Sequence, residues 1–356
     1  MGKKTVYVAS NDDDSGKSIV TLALAMIAKE TGKTVGYFKP IGMETSLTPG
    51  REAVDEDVEI FKKALNLEFE SEILCPIMLR GDFFLDDFTE FNPSHYIEKI
   101  NSAFKAVTLV KDITLIEGPR SLATGSFIGC PVPKLAREFN SEITLVLRFT
   151  DESVVDEVLQ AKEYCARWNA GISCVLLNRI PPDRVEDVKV KIKPFIERQG
   201  LKVLGLIPEE AKLSALTAGE VCDFLGGKVL AGFDGLENII ETILIGAMTP
   251  ESAAKYFQKA RNELVVTGGD RNDIILTALE TGASAIILTG NLYPSAKVLP
   301  RADELKTPLI LVPYDTYTTL QHINKVIGRV KPKDVRRMQI AVELIKKNVD
   351  WKQILE

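Results

Sequence analysis

The sequence predicts an α/β protein in which a mostly parallel sheet carries helices on both faces and is followed by a smaller α/β domain. Short apolar runs of strand length alternate with longer amphipathic runs over residues 1–212, and the pattern restarts afterwards. Short connections between such elements favour right-handed crossovers and therefore parallel strands. We expect one domain over residues 1–212, a second over residues 213–330 and an amphipathic C-terminal helix over residues 331–356.

The composition is that of a soluble globular protein. The 356 residues are 45% hydrophobic and 26% charged, which is enough apolar material for a large core. A formal net charge of -6 argues against a nucleic-acid partner. We see no apolar run of membrane-spanning length and no signal peptide, so a cytoplasmic location without a membrane partner is expected. The five widely spaced cysteines are predicted to be free, buried thiols.

The first predicted elements are a strand over residues 5–10 and a helix over residues 18–29. The loop between them ends in Gly16-Lys17-Ser18, which is the second half of a P-loop. In such a loop the lysine contacts the β- and γ-phosphates of a nucleotide, and the serine hydroxyl can ligate Mg²⁺. The N–H groups at the start of the helix also point at the anion. This stretch therefore predicts a site for Mg²⁺ and a nucleotide.

Two features of this loop depart from the usual pattern. Its first glycine would fall at position 11, or at position 10 with one more loop residue, and the sequence has Asn11 and Ser10 there. Three aspartates at positions 12–14 also stand in a loop meant to hold an anion, which is unfavourable unless a cation lies among them. An ordinary turn and helix start at residues 16–18 therefore stays open as the alternative interpretation.

The second predicted strand, residues 34–38, places another cation next to the loop. Ligands of parallel sheets bind at the carboxyl ends of the strands, so Lys39 is expected on the same edge of the sheet as Lys17. The helix that follows has several acids in its first turn. They either complement the helix dipole or bring Asp55 or Asp57 to Mg²⁺, and the sequence leaves both interpretations open.

The remaining strands of the first domain follow in order. Residues 66–100 are predicted to be irregular, a helix is predicted over residues 97–110, and the next strand ends in Glu117. A carboxylate at the end of a strand is an oxygen ligand for Mg²⁺. Further strands are predicted over residues 142–148, 172–178 and 202–208, and a helix over residues 152–168. The strand that ends in Asn178 carries an amide suited to reading a purine edge.

Taken together, these segments carry a resemblance to the dethiobiotin synthetase family of P-loop NTPase-like proteins. The resemblance is closer to the domain of that type that begins many bacterial phosphotransacetylases. The matching pieces are Ser15-Gly16-Lys17-Ser18, Gly36-Tyr37-Phe38-Lys39-Pro40, the acids around Asp57, Glu117-Gly118, Leu177-Asn178-Arg179 and Gly205-Leu206-Ile207-Pro208. Acidic residues in the loop are not foreign to that family.

The resemblance implies ATP and Mg²⁺ as cofactors and assigns roles to individual residues. The catalytic groups that contact phosphate would be Lys17 and Lys39. The residues that bind the nucleotide would be Ser15, Gly16, Lys17, Ser18 and, at the adenine, Asn178. The residues that hold Mg²⁺ would be Ser18, Asp57 and Glu117.

The second domain resembles the DRTGG domain, which bacterial phosphotransacetylases carry after the same first domain and which regulatory pyrophosphatases also contain. The match rests on Thr267-Gly268-Gly269-Asp270-Arg271 and Leu288-Thr289-Gly290. Strands are predicted over residues 264–266, 284–289 and 308–312. Asp270 and Arg271 are predicted to form either a structural ion pair or a ligand contact. The helix after residue 331 is expected to be a cap or a dimer contact.

Three hypotheses about function follow. The first is a Mg-ATP-binding regulatory or sensor protein whose second domain forms a homodimer or senses a small-molecule ligand. Acetyl transfer is not expected, because the sequence stops where a phosphotransacetylase would continue into its catalytic domain. The second is an ATP-dependent ligase of the dethiobiotin synthetase type, whose acidic loop binds an amine substrate. The third is a nucleotide-free scaffold.

Overall fold

The structure is a computed structural model that describes residues 4–43, 55–80, 85, 88, 92–210, 213, 216–324 and 335–356. The chain forms two compact units. One consists of Met1–Glu210 together with Val330–Glu356, and the other of Ala211–Arg329. The C-terminal segment thus groups with the first unit, although it follows the second in the chain.

The secondary structure has the following bounds. The strands are β1 (Lys4–Ala9), β2 (Val35–Phe38), β3 (Ile41–Met43), β4 (Ile77–Leu79), β5 (Ile113–Glu117), β6 (Ile143–Arg148), β7 (Ile172–Ile180), β8 (Val203–Pro208), β9 (Leu216–Thr217), β10 (Lys228–Ala231), β11 (Ile239–Ile240), β12 (Thr242–Ile245), β13 (Glu263–Gly268), β14 (Ala285–Thr289) and β15 (Leu309–Leu311). The helices are α1 (Lys17–Glu30), α2 (Glu56–Leu65), α3 (Ser71–Leu74), α4 (Pro93–Thr108), α5 (Val132–Glu138), α6 (Val154–Arg167), α7 (Val185–Asp187), α8 (Lys193–Arg198), α9 (Ala218–Leu225), α10 (Pro250–Phe257), α11 (Asn272–Thr281), α12 (Val298–Glu304), α13 (Thr316–Asn324), α14 (Val335–Asn348) and α15 (Trp351–Leu355).

The first unit is built on a six-stranded sheet in the order β2-β5-β1-β6-β7-β8. Every neighbouring pair in it is parallel, so the carboxyl ends of all six strands lie on one edge. The central strands are buried along their length, as parallel strands covered on both faces must be. The predicted parallel α/β sheet is confirmed, and each of its six predicted strands is present within two residues of its expected bounds.

Residues 66–100 contain more regular structure than the sequence predicted. α3, β4 and the first turns of α4 lie there, and β4 pairs in parallel with β3. α4 begins at Pro93, four residues earlier than expected, because Asn92 caps it by accepting a hydrogen bond from the N–H of His95 at 3.2 Å. Residues 81–84, 86–87 and 89–91 lie outside the described part of the chain.

The C-terminal helices pack on the first unit. α14 contacts α1 and β8, and α15 contacts α1 and β1. Apolar side chains at Ala341, Val342 and Ile345 are buried in this packing. An ion pair of 2.7 Å joins Lys346 Nζ to Glu30 Oε2 at the end of α1. The segment predicted as a cap or a dimer contact therefore covers a helix of its own chain.

The second unit contains a five-stranded sheet in the order β10-β15-β14-β13-β12, in which only β10 is antiparallel to its neighbour. Buried clusters lie around Phe257 and Leu279, and around Leu264 and Ile310. The three predicted strands are β13, β14 and β15. β10 and β12 were not predicted, since each has four residues and most of their side chains are only half-buried, which leaves a weak pattern.

Candidate functional site

The loop between β1 and α1 has the backbone of an anion-binding turn. Gly16 has φ +78°, a left-handed conformation that glycine adopts at no steric cost. A Cβ at this position would collide with Nδ2 of Asn178. Gly16 is also the residue before α1 and has no side chain with which to cap it. The first N–H groups of α1 therefore face the loop, the arrangement in which helix starts bind phosphate.

Side chains fix the part of the loop where the usual first glycine is missing. Nδ2 of Asn11 donates to the backbone oxygen of Glu157 in α6 at 3.3 Å. The hydroxyl of Ser10 donates to the backbone oxygen of Asp12 at 2.6 Å. Oδ1 of Asp12 is buried and has no hydrogen-bond partner among the described residues. The loop is thus held by side-chain contacts, and one carboxylate oxygen inside it has no donor.

The other two loop aspartates face cations. Nε of Arg120 lies 2.6 Å from Oδ2 of Asp13, and Arg148 lies 3.8 Å from Oδ2 of Asp14. Nζ of Lys17 lies 3.8 Å from Oδ1 of Asp13. All of these groups except Lys17 are more than two-fifths exposed. The negative charge that seemed unfavourable in the sequence is therefore compensated at the surface by cations from other elements.

A second ionic cluster lies deeper, at the ends of β2 and β5. Nζ of Lys39 is 2.9 Å from Oδ1 of Asp55, 2.6 Å from Oδ2 of Asp57 and 3.4 Å from Oε1 of Glu117. Lys39, Asp55 and Glu117 are buried, whereas the side chain of Asp57 is 29% exposed. We define these four residues as the Lys39 cluster. One ammonium group is shared by three carboxylates, so the cluster has room for further positive charge.

The two acids at the start of α2 make different contacts, and a role of either in holding Mg²⁺ stays a prediction. Asp55 caps the helix, because its Oδ1 accepts from the N–H groups of Asp57 at 3.0 Å and Val58 at 3.4 Å. Its Oδ2 accepts from the N–H of Met43 at 2.9 Å. Asp57 instead turns one oxygen toward Lys39 and the loop. Asp55 thus both caps α2 and contacts Lys39, whereas Asp57 contacts Lys39 and the hydroxyl of Ser18.

Three oxygens of the kind that Mg²⁺ prefers meet beside the loop. The hydroxyl of Ser18 lies 2.9 Å from Oε1 of Glu117 and 3.3 Å from Oδ2 of Asp57. The ammonium of Lys39 contacts the same two carboxylate oxygens. No group of three or more His, Cys, Asp and Glu in the described residues is arranged to hold a metal ion. The donor set of two carboxylates and a hydroxyl still fits Mg²⁺, which takes few protein ligands and completes its shell with water and phosphate.

Burial and charge shift the pKa values of the cluster in opposite directions. Burial alone would lower the pKa of Lys39, but Asp55, Asp57 and Glu117 outweigh it and raise that pKa well above its usual value. Burial opposes ionisation of Asp57, yet the contact with Lys39 lowers its pKa to about 2. Burial, reinforced by the charge of Asp57 and opposed by Lys39, raises the pKa of Glu117 to about 7. Glu117 is therefore the member that exchanges a proton near neutral pH.

Asn178 lies beside the loop and holds its backbone. Its Nδ2 donates to the carbonyl oxygen of Ser15 at 2.8 Å, and its Oδ1 accepts from the N–H of Arg179 at 2.9 Å. The side chain is buried. Both ends of the amide are thus bonded to backbone groups, and the contact with adenine stays a prediction.

Sequence reasoning missed two side chains of this region. The hydroxyl of Tyr37 donates to Oε2 of Glu117 at 3.1 Å, and its ring stacks on Phe61 with centroids 3.8 Å apart. Arg148 is the last residue of β6 and faces Asp14. Tyr37 is the last residue but one of β2 and Arg148 is the last of β6, so both lie near the loop edge of the sheet. A search of every strand end for polar groups would have found them, whereas a search for motifs did not.

In the second unit, the glycine turn after β13 places its charged residues differently from the prediction. Arg271 forms a two-pronged pair with Asp273, with Nε and an NH2 group each 3.0 Å from a carboxylate oxygen. The same guanidinium donates to the backbone oxygen of Met248 at 3.0 Å. Of the two alternatives for Asp270 and Arg271, the ion pair is not formed: Arg271 pairs instead with Asp273, at the start of α11, and a ligand contact stays a prediction.

Two general expectations can be compared with the described residues. Cys75, Cys130, Cys165, Cys174 and Cys222 are all free and buried, as predicted. None of the described helices is both long and apolar enough to span a lipid bilayer.

Two family models match the chain in succession. The AAA domain model matches residues 4–217, and the DRTGG domain model matches residues 220–326. Together they cover the second unit almost completely and the first unit without its C-terminal segment Val330–Glu356, and they follow the order predicted from the motifs. A P-loop domain followed by a DRTGG domain, as the resemblance to the phosphotransacetylases implied, is confirmed.

Several curated relatives are phosphate acetyltransferases. That of Nitratidesulfovibrio vulgaris is 24% identical over 98% of this chain and 51% of its own length. That of Synechocystis is 24% identical over 99% of this chain and 51% of its own length. The chain therefore spans about half the length of the curated relatives it matches. Among solved structures, a putative plasmid partition protein of Borrelia burgdorferi bound to AMPPNP has a TM-score of 0.41 at 15% identity, covering 60% of this chain and 90% of that one.

Proposed function

Since the chain belongs to the AAA domain family over residues 4–217 and continues into a DRTGG domain, we propose that it is a Mg-ATP-binding regulatory or sensor protein of the phosphotransacetylase N-terminal type. The first unit binds the nucleotide, and the second unit senses a ligand or self-associates. One observation carries the proposal. The hydroxyl of Ser18 and the carboxylates of Asp57 and Glu117 meet beside a glycine turn that opens α1.

The proposed roles follow from these positions. Lys17 stands at the end of the loop and Lys39 at the end of β2, so both ammonium groups can neutralise phosphate charge. Ser15 and Gly16 supply the turn in front of α1, and Asn178 fixes its backbone. Ser18, Asp57 and Glu117 would hold Mg²⁺, which would supply positive charge to neutralise phosphate. The metal would compete with Lys39 for the carboxylates of Asp57 and Glu117 and would leave the ammonium available to phosphate.

Calorimetric titration with ATP and ADP, with and without Mg²⁺, tests this proposal. Lys17→Ala is expected to weaken binding by about tenfold or more, because a charge-assisted contact to phosphate is lost. The matched control is Lys29→Ala in the last turn of the same helix, where the lysine is exposed and contacts the backbone of Ala64. That variant should bind like the wild type.

Some results of the same titration would contradict the proposal. Absence of saturable nucleotide binding by the wild type would overturn it and favour the scaffold hypothesis. Equal weakening by Lys17→Ala and Lys29→Ala would place the nucleotide elsewhere. Asp57→Asn is expected to remove the gain in affinity from Mg²⁺ while leaving Mg-free binding, and retention of that gain would contradict the metal role of Asp57.

The second unit is proposed to form a homodimer, and its surface supports this part. Large apolar side chains are exposed there, among them Tyr293 at 60% and Tyr317 at 70%. Exposed aromatic groups of this kind are frequent at protein interfaces. Light scattering with and without ATP is expected to give the mass of a dimer. A monomer at all concentrations and nucleotide states would exclude self-association.

An ATP-dependent ligase remains a second candidate because of Asp12. Its buried Oδ1 has no hydrogen-bond partner in the described part of the chain, and an amine substrate would supply one. A ligase hydrolyses ATP in the presence of its amine, whereas a sensor binds ATP with negligible turnover. Phosphate release measured with a panel of small amines separates the two, and Asp12→Asn should abolish any stimulation.

A further inference from the structure

A cavity of about 390 Å³ lies in the first unit, at the starts of the strands and thus opposite the edge that carries the loop. Its walls come from the beginnings of β1, β6, β7 and β8 and from α15. The lining residues that carry charge are Lys4, Glu142 and Lys202. A volume of this size suits a small metabolite. Neither the proposed nucleotide site nor its residues reach this edge.

Among the described residues, the charged side chains that line the cavity are not joined in close ion pairs. Within the described chain, none of Lys4, Glu142 and Lys202 has an ion-pair partner within 4 Å. Burial, followed by the nearby ammonium of Lys33, lowers the pKa of Lys4, and the carboxylates of Glu142 and Glu356 partly oppose this. The lining itself carries two lysines and one carboxylate, with Lys33 and Glu356 close enough to act on Lys4. An additional negative group between the two lining lysines would be stabilised.

The rest of the lining combines hydrogen-bonding groups with an apolar floor. The hydroxyls of Thr144 and Ser173 lie 3.5 Å apart, and the thiol of Cys174 lies 3.8 Å from the hydroxyl of Thr144. Val6 and Ile354 are buried apolar members of the same lining. Binding sites for small polar molecules have this composition, in which a few polar groups set the orientation against an apolar surface.

The C-terminal helix closes one side of the cavity and is tied to the strand edge. Gln353 and Ile354 of α15 line the cavity. The ammonium of Lys33 donates to the backbone oxygen of Leu355 at 2.8 Å, and the N–H of Asp350 donates to the backbone oxygen of Leu204 at 2.8 Å. A molecule bound here would contact both the strands and the helix, and so would stabilise the packing of α15.

From the cavity, its closing helix and its two lysines, which form no close ion pair within the described chain, we propose that this edge of the sheet binds a small organic acid. The acidic group, a carboxylate or a phosphate, lies between Lys4 and Lys202. A hydroxyl or amino group on the same molecule donates to Glu142. The site is separate from the nucleotide site and provides the first unit with a second ligand.

Calorimetry and thermal unfolding with four probes test the proposal. Glycerol 3-phosphate and inorganic phosphate represent a phosphate acid, L-malate represents a hydroxy carboxylate, and glycerol is the neutral control. At least one acid is expected to bind and to raise the unfolding temperature, while glycerol does not. Lys202→Ala is expected to weaken that binding by about tenfold, since one charge-assisted contact is lost. Lys202→Glu should abolish it, and both substitutions are at an exposed position that tolerates change.

Two control variants separate this site from other sources of binding. Lys189→Ala removes an exposed lysine of the same unit far from the cavity lining and should bind like the wild type. Lys17→Ala should also keep the binding, because it disrupts only the proposed nucleotide loop. Loss of binding in Lys17→Ala but not in Lys202→Glu would assign the acid to the loop and overturn the proposal. Failure of all three acids to bind the wild type would overturn it as well.

Discussion

The loop edge of the first sheet contains two ionic clusters of similar chemistry and very different burial. In the Lys39 cluster, three of the four residues are buried, and contacts to the ammonium run from 2.6 to 3.4 Å. In the surface cluster of Asp13, Asp14, Arg120 and Arg148, every side chain is more than two-fifths exposed. Both clusters surround the same loop. In the buried cluster, burial alone would lower the pKa of Lys39 but the neighbouring charges raise it, and burial raises the pKa of Glu117, because water screens those charges less.

The difference assigns separate tasks to the two clusters. A buried ion loses much hydration, so removing one partner from the Lys39 cluster leaves charges that water cannot reach. An exposed pair is screened and contributes little to the free energy of unfolding. We therefore expect the buried cluster to govern stability and metal binding, and the surface cluster to govern the electrostatic potential that an incoming nucleotide meets.

The largest effect is expected from Lys39→Met, which removes the cation from the buried cluster. Three carboxylates then repel one another, and the free energy of unfolding should fall by roughly 3–5 kcal/mol. Urea denaturation of the purified variant measures this. The double variant Lys39→Met with Glu117→Gln should recover part of the loss, because it removes one of the uncompensated acids. A loss of under about 1 kcal/mol in the single variant would show that the cluster is solvated. The buried and the surface cluster would then not differ in their contribution to the free energy of unfolding.

A smaller effect is expected from the pH dependence of Glu117. Its pKa is raised from 4.5 to about 7, so between these values the folded state keeps a proton that the unfolded state has lost. The contribution of Glu117 to stability therefore falls as the pH rises through this window, by roughly 1 kcal/mol per unit. Asp57, with its lowered pKa, acts only at more acid pH.

Urea midpoints measured across this pH window check the prediction. The wild type should lose stability with rising pH more steeply than Glu117→Gln, which has no titrating group at the position. Glu186→Gln, at an exposed surface pair, is the matched control and should follow the wild type. Parallel curves for the wild type and Glu117→Gln would contradict the raised pKa.

The smallest effect on stability is expected from Arg120→Ala in the surface cluster. The free energy of unfolding should change by less than about 1 kcal/mol, because both partners of the ion pair with Asp13 are exposed. ATP affinity should nevertheless fall, and more at low salt, since an uncompensated aspartate then repels the phosphates. Arg184→Ala, which breaks an exposed pair with Asp187 away from the loop, should leave affinity unchanged. Equal ATP affinities of Arg120→Ala and Arg184→Ala would show that the surface cluster does not contribute to nucleotide binding.

The sequence predicted which residues of the buried cluster come together because parallel sheets impose the placement. Lys39 and Glu117 follow or end strands, and every strand end lies on one edge, so their proximity requires no knowledge of side-chain packing. The division of labour between Asp55 and Asp57 depends instead on the residue at which α2 begins. A shift of one or two residues would exchange the two roles, and helix boundaries are the least predictable feature of a sequence.

Contacts between distant exposed residues were beyond prediction for a different reason. Arg120 and Asp13 are 107 positions apart, and no periodic pattern links them. Asn178 was predicted from its place at a strand end, but its amide bonds to the backbone oxygen of Ser15, a group that every residue carries. The sequence thus identifies the polar groups at the sheet edge, while their partners depend on the folded loop.

The grouping of the C-terminal helices with the first unit has a consequence for protein synthesis. α1 leaves the ribosome before the second unit, but α14, which packs on it, follows only after the 119 residues Ala211–Arg329 have been translated. Part of the surface of α1 therefore stays uncovered in the nascent first unit until α14 is synthesised. The second unit can fold before the first unit is complete. A chain shortened at residue 217, where the AAA domain match ends, would keep that surface exposed and is expected to bind chaperones or aggregate. Synthesis of the first unit thus begins before that of the second unit and ends after it.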